Sequence, residues 1–207
     1  IAFSPDGKKV LLGTSKSGPQ LWDLSNGQEI TNFFDQITYS NVVNAEYSPD
    51  GKLILVEYDY ETIDIFNSDG SSIDTLQETL NANLTDFDFS PDKSSLAVLS
   101  KNTLSLWNIG ENGTFTNTYT IKDRISNGNK IEFSSDGQTL LVTELYNSIT
   151  LWRASDGLLL QTLYDFSVAS FSPTEELLAT ATWDGKFQWT NPLTGSVVKS
   201  VSNGAGP

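Results

Sequence analysis

Short apolar runs alternate with turn residues along the chain, and the first copy of this pattern occupies residues 1–33. Ser4-Pro5-Asp6-Gly7 predicts a tight turn, since Pro presets φ, Asp bonds the local backbone and Gly tolerates positive φ. The next run, Lys9–Thr14, is apolar at its centre, as expected of a strand buried on both faces. Asn26-Gly27 then predicts a hairpin between two further strands at 20–24 and 28–33.

The same pattern recurs four more times. Each copy opens with an aromatic residue followed by Ser, and a second aromatic residue follows 18 or 19 positions later. The opening aromatic residues, at steps of 44, 42, 44 and 38 residues, are Phe3, Tyr47, Phe89, Phe133 and Phe171. The second aromatic residues are Trp22, Phe66, Trp107, Trp152 and Trp189. A fixed period of this size indicates a repeat protein.

Each copy contains the signals for four short strands, and a hairpin containing Gly follows the third strand in every copy. We therefore predict an all-β fold, a β-propeller of four-stranded antiparallel blades, with five blades visible in one domain over residues 1–207. The predicted blades span approximately residues 1–33, 45–77, 87–121, 131–163 and 169–203.

The repeats resemble WD repeats over essentially all of residues 1–203. The resemblance rests on the Phe-Ser-Pro-Asp-Gly turn, the apolar strand after it, and a Leu-Trp-Asp type of strand before a Gly hairpin. The Ser-Pro-Asp-Gly-Lys form of the turn is similar to that of bacterial members. Trp22-Asp23 matches the dipeptide that names the family. The partial matches are Phe66-Asn67, Trp107-Asn108, Trp152-Arg153 and Trp189-Thr190.

The chain departs from that family in one polar network. Family members often carry a His that bonds with an Asp, a Ser or Thr, and the Trp, but this chain has no His. Asp184 alone resembles the family's Asp. The equivalent residues in the other copies are Ser17, Glu61, Asn102 and Asn147. We therefore expect the full network to be absent, and stability to depend more on packing around residues such as Trp107 and Trp152.

The start of the chain also bears on its organisation. The chain has no Met and begins inside a repeat at Ile1, so we expect a fragment. The WD family usually has seven blades, and an arc of five would expose strand edges or apolar faces at its ends. We expect further blades beyond the 207 residues, with a closed five-bladed ring as the alternative.

Composition argues against several kinds of site. Without Cys and His, the chain has no thiolate nucleophile and lacks both the usual general base and the commonest metal ligand. Ser90 and Lys93 belong to the repeated turn, and Asp86, Asp88 and Asp92 alternate along a strand into that turn instead of forming a calcium loop. We predict no catalytic site, no metal site and no cofactor.

The chain is strongly acidic, with 26 Asp and Glu against 12 Lys and Arg and a net charge of −14. Nucleic acid and anionic lipid both require a basic surface, and no apolar run approaches the roughly 18 residues of a membrane span. We therefore predict no nucleic-acid or membrane partner, a cytoplasmic location, and a preference for basic partner proteins.

Acidic and aromatic residues recur in the loops after the second and fourth strands, which share one face in a propeller. Carboxylates pair with Arg and Lys, and aromatic rings attract cations. We predict that this face binds a basic segment of a partner protein. The predicted residues are Glu57, Tyr58, Asp59, Tyr60, Glu61, Glu144, Tyr146, Trp183 and Asp184. The loops between successive blades add Tyr39, Glu78, Asp123, Tyr164 and Asp165. The alternative is that Tyr58 and Tyr146 pack between blades and the carboxylates are only solvated.

Taken with the resemblance, these features predict a non-enzymatic protein-interaction scaffold or sensor module. The alternative is a regulatory or substrate-gating propeller domain of a larger enzyme, because the Ser-Pro-Asp-Gly turn also resembles periplasmic propellers of that kind. The recurring Leu-Trp before a Gly hairpin favours the first interpretation.

Overall fold

The computed structural model describes residues 1–14, 18–32, 41–58, 62–76, 84–111, 113–145 and 148–202. All regular elements in these ranges are β-strands, and they form five four-stranded antiparallel sheets. The predicted fold class, an all-β propeller fold with four-stranded antiparallel blades, is confirmed. By internal contacts the chain divides into two compact units, Ile1–Asn81 with Ile109–Thr116, and Ala82–Asn108 with Asn117–Pro207.

Within every sheet the four strands pair in chain order. The first sheet contains β1 (Ala2–Phe3), β2 (Lys9–Thr14), β3 (Gly18–Asp23) and β4 (Gln28–Asn32). The second contains β5 (Val42–Tyr47), β6 (Leu53–Tyr58), β7 (Ile63–Asn67) and β8 (Ser72–Leu76). The third contains β9 (Leu84–Phe89), β10 (Ser95–Ser100), β11 (Thr103–Ile109) and β12 (Phe115–Lys122). The fourth contains β13 (Gly128–Phe133), β14 (Thr139–Glu144), β15 (Ser148–Arg153) and β16 (Leu159–Tyr164). The fifth contains β17 (Val168–Phe171), β18 (Leu178–Ala181), β19 (Lys186–Thr190) and β20 (Val197–Ser202).

The repeated Ser-x-Asp-Gly phrase builds the turn between the first two strands of a sheet. In the fourth sheet the Ser134 hydroxyl donates to Asp136 Oδ1 at 2.6 Å and accepts from the Thr139 N–H at 2.9 Å. Asp136 Oδ1 also accepts from the Gln138 N–H at 2.9 Å, and Gly137 takes a φ of 71°. The hydrogen bonds from Ser134 and Gln138 hold the pKa of Asp136 below its ordinary value. The turn is therefore encoded locally, which explains why it could be recognised from sequence.

Packing between successive sheets supplies the core of each unit. In the second unit, Leu99 and Leu104 of the third sheet form one buried cluster with Ile131, Val142 and Trp152 of the fourth. Alternate residues of a strand point to opposite faces of its sheet. Each central strand can therefore bury one set of side chains against the preceding sheet and the other set against the following sheet.

The sequence analysis treated Trp189 as the fifth-repeat equivalent of Trp152, and the strand pairing shows that this is wrong. Trp152 pairs with Leu140 across the fourth sheet, and the equivalent residue of the fifth sheet, Leu178, pairs with Thr190. Trp189 therefore lies one position early, and a shift of one residue moves a side chain to the opposite face of a sheet. Sequence spacing alone could not reveal this, because spacings of 18 and 19 residues both occur in correctly aligned repeats.

Carboxylates connect the edge strands of successive sheets in the second unit. Asp88 Oδ2 on β9 accepts a hydrogen bond from the Phe133 N–H on β13 at 2.7 Å. Glu132 Oε1 on β13 accepts from the Phe171 N–H on β17 at 2.9 Å. In each case the residue that precedes the opening aromatic residue of one repeat accepts a hydrogen bond from the backbone N–H of the opening aromatic residue of the next repeat. These N–H groups lie on edge strands and would otherwise have no partner strand.

Asp88→Asn is expected to change the pH dependence of stability. Burial, together with the charges of Glu132 and Asp86, raises the pKa of Asp88 to about 6 despite the hydrogen bond from Phe133. Between about pH 4 and pH 6 the folded chain therefore holds a proton that the unfolded chain has lost, and stability falls as the pH rises. Asn keeps an oxygen acceptor without the charge. After a discount for partial exposure, we expect the free energy of unfolding of the variant to be about 1 kcal/mol higher than that of the parent at pH 7.

Urea unfolding of parent and variant between pH 3.5 and pH 7 measures this difference. The turn carboxylates, such as Asp92 and Asp136, have lowered pKa values and act in the opposite sense, but they are identical in both proteins and cancel. We expect the difference to be near zero below pH 4 and to grow up to about pH 6. A difference that does not vary with pH would contradict the assignment.

Candidate functional site

Loops after the second and fourth strands meet at one end of the sheets in the second unit. The Asp123 N–H donates to the Asn102 carbonyl at 3.1 Å, and the Leu145 N–H donates to the Asn127 carbonyl at 3.1 Å. The Ser167 N–H donates to the Ala181 carbonyl at 2.8 Å, which attaches the next such loop to the end of β18. We call this end the loop face. It comprises residues 101–102, 123–127, 145, 164–167 and 182–185.

Three large hydrophobic side chains are exposed among the described residues of the loop face. Trp183 is 76% exposed, and both Tyr164 and Leu145 are also largely exposed. The sequence interpretation named Trp183 and Tyr164 but missed Leu145, because it selected only acidic and aromatic residues. The available signal was a lone leucine after a buried strand, in a loop that is otherwise polar.

The turn that carries Trp183 is held by several local bonds. The Thr182 N–H donates to the Lys186 carbonyl at 3.0 Å, and the Gly185 N–H donates to the Thr182 carbonyl at 3.1 Å. Asp184 accepts a hydrogen bond from the Thr182 hydroxyl and pairs with Lys186 Nζ at 2.6 Å. These interactions, first that with Lys186 and then that with Thr182, hold the pKa of Asp184 below its ordinary value. Asp184 therefore orders the turn and is already paired within it.

The charges of the loop face have both signs. Asp123 and Asp165 are exposed there, and so are Lys101 and Arg124. The described residues of the loop face thus carry basic side chains beside the acidic and aromatic ones that the sequence analysis named. The acidic excess belongs to the chain as a whole, with its net charge of −14.

Three residues of the predicted set are buried. Tyr58 lies in a cluster with Leu11, Leu21 and Val56, and burial raises the pKa of its hydroxyl above the ordinary value. Glu57 is also buried. Glu144 is the third buried residue. Among the described residues of the predicted set, Trp183 and Asp184 are exposed. Four predicted residues lie outside the described residues, namely Asp59, Tyr60, Glu61 and Tyr146. The same holds for Tyr39 and Glu78.

Glu144 has a structural role that the sequence did not reveal. Its carboxylate accepts from the Ser126 N–H at 3.0 Å and from the Thr150 hydroxyl at 3.2 Å. Thr150 Oγ1 in turn accepts from Trp152 Nε1 at 2.9 Å, and Ser148 Oγ adds a bond to the carboxylate at 3.3 Å. A short Glu-Thr-Trp network thus forms in the fourth sheet without a His. Through Ser126 it ties residues 123–127 of the loop face to the sheet.

The third sheet shows the contrasting case. Ser105 stands two residues before Trp107, but its hydroxyl bonds to Thr120 Oγ1 at 3.2 Å. Trp107 Nε1 is buried and has no hydrogen-bond partner among the described residues. The position equivalent to Glu144 is Ser100, whose hydroxyl bonds locally to the Thr103 carbonyl. The polar network is therefore a property of the fourth sheet and not of the repeat.

Comparison with known proteins assigns the chain to no family. No protein-family model matches the chain, and no curated protein matches it. Within the described ranges no group of three or more His, Cys, Asp or Glu could hold a metal ion. No helix among the described residues has the length and apolarity that a membrane crossing needs.

Proposed function

We propose that this chain is a WD-type propeller module that binds a partner protein on its loop face and catalyses no reaction. The observation that carries the proposal is Trp183, which is 76% exposed on a turn held by Thr182, Asp184 and Lys186. Exposed Trp and Tyr residues are enriched among the side chains that dominate binding energy at protein interfaces.

The turn that carries Trp183 is already structured before a partner binds, and this favours affinity. A partner that covers Trp183 removes apolar surface from water, and little backbone entropy is lost because the hydrogen bonds of residues 182–186 already hold the turn. Tyr164 and Leu145 are two further exposed apolar side chains on the same end of the sheets. We therefore expect the partner to contribute an apolar side chain that contacts Trp183.

Charge defines the second feature of the partner. The net charge of −14 produces a long-range field that favours approach of a basic segment. The loop face itself carries both Asp123 and Arg124, so the field acts mainly on the association rate. A segment with Lys or Arg beside an apolar anchor fits these conditions best.

Selection from a displayed peptide library is expected to enrich peptides of this kind. Trp183→Ala should weaken their binding at least about tenfold, because truncation removes the central contact. Leu193→Ala is the matched control, since Leu193 is 67% exposed in the hairpin at the other end of the same sheet. Both variants should keep parental stability within about 0.5 kcal/mol. Fluorescence polarisation at two salt concentrations measures affinity and charge dependence. Selected peptides that bind the Trp183→Ala variant as well as they bind the parent would contradict the proposal.

A further inference from the structure

A groove lies between the Ser-x-Asp turns of successive sheets in both units. In the first unit it lies between the first and second sheets and has a volume of about 160 Å³. In the second unit it lies between residues 90–95 of the third sheet and residues 133–138 and 153–155 of the fourth, and has a volume of about 800 Å³. We call this larger one the turn groove. It lies at the end of its sheets opposite the loop face, because the turns and hairpins alternate with the loops along antiparallel strands.

A lysine of the chain itself crosses the smaller groove. Lys9 starts on the first sheet, and its Nζ donates a hydrogen bond to the Ser68 carbonyl of the second sheet at 2.9 Å. The pKa of Asp6 is lowered chiefly by hydrogen bonds from the Ser4 hydroxyl and the Lys8 N–H, and the charges of Lys8 and Lys9 lower it further. An ammonium group on an aliphatic chain therefore occupies this groove, bonded to a hairpin carbonyl and close to a turn carboxylate.

The third sheet has short side chains at the positions that fill the groove in the first sheet. Ser95 takes the position of Lys9, and Ala97 takes the position of Leu11. Residues two apart on a strand lie on the same face of its sheet. This face is turned to the following sheet, since Leu11 clusters with residues of the second sheet and Ala97 with residues of the fourth. The two short side chains leave the turn groove wider than its counterpart.

The lining of the turn groove combines apolar surface with charged carboxylates. Leu106 and Phe133 contribute apolar surface, and Asp92 and Asp136 contribute carboxylates. The hydrogen bond from the serine hydroxyl of each turn is the main cause that holds the pKa of both carboxyl groups below its ordinary value. Both groups are therefore ionised at neutral pH. This lining suits a ligand with an apolar stem and a cationic head.

Two basic residues stand close to these carboxylates. Arg153 lines the turn groove, but its guanidinium pairs with Asp156 Oδ2 at 3.0 Å. Lys93 follows Asp92 in the turn and is exposed. Among the described residues, Asp92 and Asp136 form no ion pair. The turn groove thus keeps two negative charges that a cationic ligand can pair with.

We propose that the turn groove binds a lysine side chain of a partner polypeptide. The partner's ammonium group would lie near Asp92, as that of Lys9 lies near Asp6 in the first unit. The Ala154 carbonyl holds the position of the Ser68 carbonyl. It already accepts a hydrogen bond from the Tyr119 hydroxyl at 3.0 Å, and a carbonyl oxygen has a second lone pair to accept another.

The remainder of the turn groove fits the backbone beside that lysine. Asn108, Gln138 and Ser155 add hydrogen-bonding side chains to the lining. The net charge of −14 also favours the approach of a basic segment over that of a neutral one. The chemistry of the site therefore points to a lysine within a peptide segment, at a place separate from the loop face.

NMR titration of the whole chain with N-acetyl-lysine methylamide tests this proposal. We expect chemical-shift changes at the backbone amides of residues 90–95, 133–138 and 153–155. N-acetyl-norleucine methylamide has the same aliphatic stem without the ammonium group and is the matched probe. It should bind at least about tenfold more weakly, because the charge-assisted hydrogen bonds are lost.

Reciprocal substitutions between the two grooves supply the second measurement. Ser95→Lys should place an ammonium group across the turn groove, as Lys9 does in the first unit, and abolish binding of the lysine probe. Lys9→Ser should open the smaller groove and produce new shifts in residues 4–9 and 47–51. Ser200→Lys adds the same charge at an exposed residue on the outer strand of the fifth sheet. This control should bind the probe within about twofold of the parent.

Three results would overturn the proposal. They are the absence of any shift at about 20 mM probe, equal affinity for the lysine and norleucine probes, and unchanged binding by the Ser95→Lys variant. The amide spectrum of each variant also shows whether its sheets remain folded. Trp183→Ala should leave this titration unchanged, because Trp183 lies on the loop face at the other end of the sheets. Failure of the turn groove is therefore distinguishable from failure of partner binding at Trp183.

Discussion

Replacing Trp152 with Ala is expected to lower the free energy of unfolding by about 3–5 kcal/mol. The side chain is 1% exposed and lies in a cluster with Ile131, Leu140 and Val142. Removal of the indole leaves a cavity, and it deprives the Thr150 hydroxyl of its hydrogen-bond donor. Urea unfolding followed by fluorescence measures the loss. A loss below about 1 kcal/mol would show that Trp152 is not a core residue.

The matched control for the hydrogen bond is the pair Trp152→Phe and Trp107→Phe. Both tryptophans are buried at equivalent positions of successive sheets, but only Trp152 Nε1 has a partner among the described residues. The Phe replacement should therefore be less costly at Trp107, by about 1 kcal/mol, which is the usual worth of one hydrogen bond. Equal losses at the two positions would mean that the bond to Thr150 contributes nothing to stability.

Replacing Glu144 with Ala is expected to destabilise the chain by about 2–4 kcal/mol. The carboxylate accepts hydrogen bonds from the Ser126 N–H and from the hydroxyls of Thr150 and Ser148. Its removal leaves the buried Thr150 hydroxyl without its acceptor, which costs about 1–3 kcal/mol, and the lost packing of the buried Glu144 side chain adds to this. Ser126 is exposed and Ser148 half-buried, so their donors can bond to water instead. Glu144→Gln keeps one oxygen acceptor and should cost about half as much.

Hydrogen exchange separates this network from simple packing. In the Glu144→Ala variant we expect the Ser126 amide to exchange faster, because its acceptor is gone, and the Leu145 amide to follow, because it bonds to Asn127 in the same loop. Glu176→Ala, at an exposed acidic residue of another turn, is the control. Unchanged exchange at Ser126 in the Glu144→Ala variant would remove Glu144 from the support of the loop face.

The hydrogen-bond network of Glu144 connects the core of the fourth sheet to the loop face. Glu144 bonds to the Ser126 N–H in residues 123–127 and, through the Thr150 hydroxyl, to Trp152 in the core. The turn that presents Trp183 is held separately by Thr182 and Lys186. Damage to the fourth sheet should therefore affect the position of Asp123 and Arg124 more than the presentation of Trp183. Peptides that depend on Trp183 are expected to keep most of their affinity in the Glu144→Gln variant.

The five sheets could be predicted from the amino-acid sequence, because the signals for their strands and turns are local. The Ser-Asp-Gly turn is built from contacts within five residues, as the bonds of Ser134 with Asp136 and Thr139 show. The hairpin glycines need only a positive φ, which Gly27 and Gly195 adopt. An apolar run between such turns has few ways to fold other than as a central strand.

Which side chains reach the surface depends on tertiary packing and could not be predicted from the sequence. Tyr58 and Glu144 end apolar strands in the sequence, and their burial depends on neighbouring strands and loops that no local pattern encodes. The side of the sheet on which Trp189 lies follows from its pairing with Ala179 and not from its spacing to Phe171. The bonds from Asp88 and Glu132 to the next sheet join residues about 40 positions apart. Such contacts form only when separate sheets pack, so the sequence identified the repeats while their packing decided which residues are available for binding.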